Sequence, residues 1–320
     1  MQSQLKFSEC LQNLLQCPIC SAKIKREREE LLCTNSHCDV HFPIIDGIPV
    51  LINENNSVFE IDDYISKHDT TINLQAGKNK ILRYAIPSIS KNIKGKENYE
   101  KIAKLLDNKS RTNKVLVIGG SIVGQGMEPL IASQSIELIE SDVSFGPRTM
   151  LIFDAHNIPF ENSTFDLVIV QAVLEHVVDP YKCVDEIYRV LNKQGMVYAE
   201  TPFMQQVHMG RYDFTRFTHL GHRRLFRRFK ELDSGAVCGP GMALAWSYQQ
   251  FMLSFTKSKI IRKLIIAFTS LTSFYLKYFD YFLVNKVGVY DSASGYYFLG
   301  EKTNDILSDR ELIKLYKGAL

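Results

Sequence analysis

Strong charge of either sign is missing from this 320-residue chain, and so is any sign of export. Its 38 basic and 35 acidic side chains leave a formal charge of +3, too small by itself to imply a nucleic-acid partner. The first ten residues carry Lys6 and Glu9 and no continuous apolar core, so no secretory signal is read there and a cytoplasmic protein is expected. In the apolar C-terminal third, the uncharged piece Leu264 to Leu276 ends short of the roughly 20 residues that span a bilayer. There is no internal repeat, no low-complexity tract and no GxGxxG fingerprint.

What is present is a globular composition, with 45% apolar residues, enough for one large domain or two modest ones. The reading is organised by Val115 to Gly126, VLVIGGSIVGQG. Val115 to Ile118 suit a strand buried on both faces, and Gly119, Gly120, Gly124 and Gly126 let the backbone turn and approach a ligand closely. Pro129 suits the first turn of a following helix. Short apolar segments then recur at Ile136 to Ile139, Met150 to Phe153, Phe165 to Val170 and Met196 to Ala199. Between the last two, Asp179 caps a helix with Pro180 at its first position, an apolar face of Val184, Ile187, Val190 and Leu191, and Gly195 as its stop. This alternation predicts an α/β fold with a doubly wound, mostly parallel sheet.

Cys17 and Cys20, followed by Cys33 and Cys38, form a C-x2-C…C-x4-C pattern suited to tetrahedral zinc in a segment too short and polar to hold a core of its own. His37 or His41 are alternative ligands. The alternating HFPIIDGIPVLI, with Asp46-Gly47 as a turn, completes a β-ribbon. Cys10, Cys183 and Cys238 lie outside the pattern and are expected as packed thiols. The pattern CPxC…C…C…fPI.dGIPvL resembles the zinc-ribbon modules attached to methyltransferases. From Asn53 to about Lys114 the chain turns polar, with weak helical patterns at Ile81 to Ile86 and Tyr99 to Leu106. The expected organisation is a zinc ribbon at 1–55, a helical linker at 56–112 and a larger domain at 113–320 with a helical apolar insertion at about 242–287.

The order and spacing of the glycine loop, IESDVS, FDAHNIPF, ENSTFDLVIVQAVLEHVVDP and EIYRVLNKQGMVYAETPF resemble the class I S-adenosylmethionine-dependent methyltransferases of type 11. That resemblance implies a seven-stranded Rossmann-like sheet and a donor site made by Gly119, Gly120, Ser121 and Gly124. It further implies Asp142 on the ribose hydroxyls with Glu140 in reserve, Asp154 and Ala155 at the adenine, and Gln171 near the methyl group. The sequence departs from the pattern in three places. Val117 stands where the first strand usually ends in an acid, Ser121 replaces a loop glycine, and Glu140 to Thr149 is too short a crossover for a full helix.

Acceptors in such sheets bind outside the carboxyl ends of the strands, which points to TPFMQQVHMGRYDFTRFTHLGHRRLF. His208 is the candidate base and Asp213 its orienting partner, an Asp213–Arg216 salt bridge that only shapes the loop being the structural alternative. Substrate contacts are expected from His176, Arg211, Tyr212 and Arg216, with His219 and His222 in the same cluster. The string PF…H…DFTRFT…G…LF resembles methyltransferases of polysaccharide, cell-envelope and secondary-metabolite pathways, which implies O-methylation of a small or lipid-linked sugar-containing acceptor. Arg223, Arg224, Arg227 and Arg228 are read as a basic face. The alternatives are an rRNA base methyltransferase, disfavoured by the low charge, and a scaffold with a degenerate donor site. For the apolar stretch Met242 to Val284 the two readings are packing on the domain or a second copy, which is favoured, and peripheral membrane contact.

Overall fold

The computed structural model describes residues 4–68, 86–107 and 111–319. Most of the Ile81 to Ile86 helical pattern therefore lies outside the described residues.

The first sheet is the ribbon. Strands β1 (Ile24–Glu27), β2 (Glu30–Cys33), β3 (His41–Ile45) and β4 (Ile48–Pro49) pair antiparallel in the order 1-2-3-4. Asp46 and Gly47, with φ of 52° and 77°, make the tight turn that puts Ile45 opposite Ile48. A short helix α1 (Ile61–Ile65) follows, and α2 (Gly95–Asp107) leads into the large domain with Tyr99, Ile102 and Leu106 buried at helical spacing.

Seven strands form the second sheet: β5 (Asn113–Ile118), β6 (Ile136–Asp142), β7 (Leu151–Ile152), β8 (Phe165–Gln171), β9 (Leu191–Pro202), β10 (Phe229–Cys238) and β11 (Gly295–Lys302). Their order is 10-11-9-8-5-6-7, parallel from β9 to β7, with β11 antiparallel to both of its neighbours. This is the mostly parallel, Rossmann-like methyltransferase arrangement. Helices α3 (Glu128–Ile131), α4 (Pro180–Val190) and α5 (His219–Leu225) follow β5, β8 and β9. Helices α6 (Pro240–Leu253), α7 (Lys259–Ser273) and α8 (Leu276–Leu283) lie in the connection from β10 to β11.

Several local expectations shift. Asp179 does cap α4, its side chain accepting the Lys182 N–H at 3.1 Å, but the helix ends at Val190, and Gly195 lies inside β9. The helical spacing of Leu225, Phe226 and Phe229 predicts one helix face turned to the core, but α5 ends at Leu225 and Phe229 opens β10. Cys183 and Cys238 are buried, whereas Cys10 is exposed.

Between β6 and β7 there is no helix, and β7 has two residues. The ribbon takes that place. Leu51 donates its N–H to the Ile152 carbonyl at 2.8 Å, and Val50 bridges Ile152 in parallel, so the ribbon's exit strand extends the edge of the large sheet. Leu15 bridges Phe160 on the same side. Side chains of the ribbon, among them Leu11, Phe42 and Leu51, share one continuous core with Leu116, Val168 and Phe165. Ile48, Val50, Phe59 and Tyr64 form a further cluster around Ile152. Covering an edge removes unpaired strand groups that would otherwise invite association.

Candidate functional site

A cavity of about 440 Å3 opens at the carboxyl ends of β5, β6 and β8, in the size range of small-molecule and cofactor sites. Its floor is the glycine loop. Gly119 has φ of 80°, and a Cβ there would meet Val173 Cγ2 at 2.4 Å. Only glycine fits. The N–H groups of Gly119 and Gly120 donate to the Ser141 carbonyl at 2.9 and 2.8 Å, which ties the loop to the end of β6. Asp142 is thereby held beside Ser121. Its carboxylate accepts the Ser121 N–H at 3.2 Å and the Ser144 N–H at 3.0 Å. Burial raises its pKa against the lowering effect of those bonds, and acceptor capacity remains for a ligand's hydroxyls. The Ser121 side chain is buried beside that carboxylate. Glu140 is different, being paired with Arg148 Nε at 2.6 Å.

The opposite wall comes partly from the ribbon's exit. Val58 and Phe59 line the cavity with Phe153, Asp154, Ala155 and His156. Ser57 Oγ donates to Asp154 Oδ2 at 2.6 Å, and His156 gives both its N–H and its ring Nδ1 to Oδ1, at 3.0 and 2.5 Å. Asp179 N–H donates to His156 Nε2 at 3.0 Å, so the ring proton sits on Nδ1. Burial alone would push Asp154 up, but His156 and Ser57 more than offset it and hold the carboxyl low. Three of its roughly four acceptor positions are occupied within the chain, so Asp154 braces this wall and keeps little capacity for a ligand.

A polar network that sequence reasoning did not assign lies at the ends of β8 and β9. Glu200 is buried and accepts from Gln171 Nε2 and Asn92 Nδ2, each at 2.8 Å, and from the Tyr198 hydroxyl. Gln171 in turn accepts the Tyr99 hydroxyl at 3.0 Å. Gly124 abuts this network, since a Cβ there would fall 2.2 Å from Gln171 Oε1. Glu200 lines the cavity and burial raises its pKa. Ala172, next in the chain after Gln171, has φ of 54°, a strained conformation of the kind that persists at functional sites. The one available sequence signal was an acid at the end of an apolar strand, in YAETPF.

The outer mouth is aromatic. Tyr212 lines the cavity and stacks on Phe59 with centroids 5.5 Å apart. Its carbonyl accepts His176 Nδ1–H at 2.8 Å, leaving Nε2 to face Glu175 Oε1 at 3.5 Å. Glu175 is fully buried with no hydrogen-bond partner for either oxygen among the described residues, and burial pushes its pKa up to about 8. Burial and the neighbouring His208 lower His176 to about 4. At neutral pH the pair is therefore a protonated carboxyl beside a neutral imidazole. The His208 ring is held edge-on against His176 and Trp246, with centroids 4.9 and 6.2 Å away.

Other expected site residues have structural partners. Asp213 accepts the His208 N–H at 2.9 Å and is clamped by Arg216 at 2.5 and 2.9 Å. Arg216 also donates to the carbonyls of Gln205, Thr215 and Gln206. All five guanidinium N–H groups are thus committed within the loop, which corrects the expectation of a substrate-binding Arg216 in favour of the loop-shaping salt bridge. Arg211 lies over the Tyr212 ring at 4.9 Å. His219 and His222 are buried away from the mouth, His219 against Tyr290 and Tyr296, and burial holds both imidazoles neutral. The basic face is also corrected. Arg223 is buried against Glu231, Arg224 and Arg227 pair with Asp309, and Arg228 pairs with Asp185.

Away from this cavity the four ribbon thiols converge, all within 4.8 Å of one another. The Sγ pairs Cys17–Cys38 and Cys20–Cys33 are 3.8 and 3.4 Å apart. A tetrahedral ion with Zn–S of about 2.3 Å requires about 3.8 Å between sulfurs, so the donor set fits. Ser21 and Asp39, each following the second cysteine of its pair, have φ of 60° and 43°. The Asn35 N–H points to Cys33 Sγ at 3.5 Å. His41 faces Glu30 at 3.3 Å, so the fit rests on the four cysteines.

Residues 131–199 match the family model described as a methyltransferase domain. A 52-residue stretch, 16% of the chain, is 38% identical to a UPF0434 protein of Hahella chejuensis and covers 83% of it. Among solved structures, phosphoethanolamine N-methyltransferase 2 of Haemonchus contortus in complex with S-adenosyl-L-methionine is 14% identical, with 88% of this chain and 71% of that one covered at a TM-score of 0.43. The [4+2]-cyclase SpnF is 15% identical over 65% of this chain and 80% of its own, at 0.41. Scores this low assign no activity. The matched residues begin after the glycine loop and end inside β9, directly before Glu200. Residues 131–199 thus carry a methyltransferase domain, and over the 52-residue stretch the chain belongs to the UPF0434 family.

Proposed function

We propose that the enzyme methylates a hydroxyl oxygen on a small or lipid-linked, sugar-containing acceptor. The observation that carries this reading is the His208 ring, held edge-on against Trp246 and against His176, which lines the cavity. A hydroxyl acceptor needs a base, whereas an amine with a free lone pair does not. His208 Nδ1 lies 3.3 Å from the Gln206 carbonyl and 3.5 Å from Asp213 Oδ2, surroundings that suit a proton on Nδ1 and the lone pair on Nε2. His176 is the weaker candidate, because its Nε2 already faces the protonated Glu175. The sugar-containing class rests on the resemblance of the PF…H…DFTRFT…G…LF string.

When bound, S-adenosylmethionine supplies a methyl group on a positively charged sulfur. Asp142 and the Ser121 hydroxyl are assigned to the ribose end, and Ala155 with Phe59 to the adenine end. Val117 cannot meet the donor's ammonium as an acid would. Glu200 lines the same cavity, is hydrogen-bonded on three sides and lies behind the loop at Gly124. We assign it the task of the missing strand-end carboxylate. The ribbon's four thiolates are assigned to structural zinc, which would hold the ribbon against β7 and so keep Ser57 and Phe59 at the cavity wall.

Asp142→Ala and Glu200→Gln are each expected to weaken S-adenosylmethionine about 10- to 100-fold, the loss of one or two hydrogen bonds to a charged group. Calorimetric titration checks this, and no binding by the wild-type protein would instead favour a scaffold. His208→Ala should leave that affinity unchanged and lower turnover on hydroxyl acceptors by about 10²- to 10⁴-fold; retained turnover would reject the base.

Glu175 provides a pH signature. Its proton is bound in the folded state up to about pH 8 and is released by the unfolded chain near 4.5, so its contribution to stability falls as pH rises through that window. The histidines act oppositely and only below 6.5. Urea midpoints of the wild type should therefore drop between pH 6.5 and 8, and Glu175→Gln should reduce that drop; equal slopes would contradict a protonated Glu175. Protein purified without chelator should contain zinc and lose it, with a lower Tm, in Cys33→Ser. Absence of zinc in the wild type would reject the metal.

A further inference from the structure

Helices α7 and α8 are inside out. Ile260, Leu264, Phe268 and Leu271 of α7 recur at spacings of three and four, Phe279 and Phe282 of α8 are three apart, and all six are 53–76% exposed. Such spacing puts each set on one face of its own helix. The face turned toward the protein is polar: Thr269, Ser270, Ser273, Lys277 and Asp280 are buried. Its contacts are specific. Gln249 of α6 donates to Thr269 Oγ1 at 3.0 Å, and Asp280 accepts the N–H groups of Gly241 and Met242 at 2.7 and 2.9 Å, capping the start of α6. A globular helix ordinarily buries its apolar face and shows its polar one. Of the favoured expectation, packing on the domain or on a second copy, the first part is corrected by the direction in which these apolar residues point.

The charge around the stripe has one sign. Lys257, Lys259, Lys263 and Lys286 are exposed, and Asp280, which is buried, is the only acidic residue between Asp233 and Asp291. An apolar face flanked by lysines, without an exposed acid, complements an anionic bilayer surface. A second copy of this face would set lysine against lysine. No helix among the described residues is long and apolar enough to cross a membrane.

We propose that the α7–α8 face docks on the surface of an anionic phospholipid bilayer. The element under it reaches the acceptor mouth. Helix α6 carries Trp246 against His208, and its Ser247 accepts Gln206 Nε2 at 3.0 Å. Docking therefore sets the mouth close to the lipid surface, which suits the lipid-linked branch of the proposed acceptor class. Vesicle binding is measured without methyl transfer, so its failure is distinguishable from failure of the acceptor reading.

The test is co-sedimentation of the full chain with phosphatidylcholine vesicles, alone or containing phosphatidylglycerol, with light scattering of the protein by itself. The wild type should pellet with phosphatidylglycerol vesicles and weakly or not at all with phosphatidylcholine. Lys259→Glu with Lys263→Glu should lower that affinity by at least about 25-fold, at about fivefold per lysine removed from an anionic surface. Phe268→Ser with Phe282→Ser should abolish binding while leaving Tm and S-adenosylmethionine affinity unchanged, because both side chains are exposed in the free protein. No binding of the wild type to phosphatidylglycerol vesicles, or binding that either variant leaves intact, would overturn the proposal. So would a dimer that the phenylalanine pair dissociates, since a second copy would then cover the face.

Discussion

The hydrogen bond from Leu51 N–H to the Ile152 carbonyl joins the two sheets, and one wall of the cavity depends on that junction. A two-residue β7 with no crossover helix would leave the sheet's edge open and one side of the β6 end uncovered. By pairing there, the ribbon closes the edge and delivers residues 57–59 to the cavity. Ser57 then braces Asp154 and Phe59 stacks on Tyr212. The two parts also share one core around Phe42, Leu51 and Phe165. A change in the cysteine cluster therefore has a physical route to the cavity wall.

The second constraint is electrostatic. Val117 deprives the first strand of its terminal acid, and the cavity's carboxylates sit elsewhere, at Asp142 and Glu200. Each is buried and raised in pKa, and each is surrounded by donors from its own chain. An unsatisfied buried charge is costly, so these networks must form for the fold itself before any ligand arrives. Glu175 takes the other course. With no donor for either oxygen among the described residues, it keeps its proton, and the neutral imidazole beside it follows from the same burial.

At the mouth, the loop after β9 is rigid because Arg216 binds Asp213 and three carbonyls, and this rigidity fixes His208 against Trp246 on α6. The same α6 is capped by Asp280, whose helix turns its aromatic side outward. The His208 ring and the outward aromatic face thus flank one small helical layer.

The sequence alone carried the parts of this protein set by local chemistry. Strand after strand of branched residues fixed the parallel sheet, Asp179-Pro180 fixed the start of α4, Asp46-Gly47 the ribbon turn, and the cysteine spacing the thiol cluster, because each depends on residues near in the chain. The turn of the glycine loop at Gly119 was legible for the same reason. What only the tertiary structure decided involves partners distant in sequence. Ser57 meets Asp154 and Asn92 meets Glu200 across about a hundred residues, so neither contact has a periodicity to betray it. Nor does a run of arginines announce that every one is paired. The amphipathic pattern of α7 and α8 was visible, but a helical period says which residues share a face and not which face is turned to the core. That was settled by Asp280 and Thr269 finding hydrogen-bond partners on α6, where an apolar surface would have left the donors of α6 unmet.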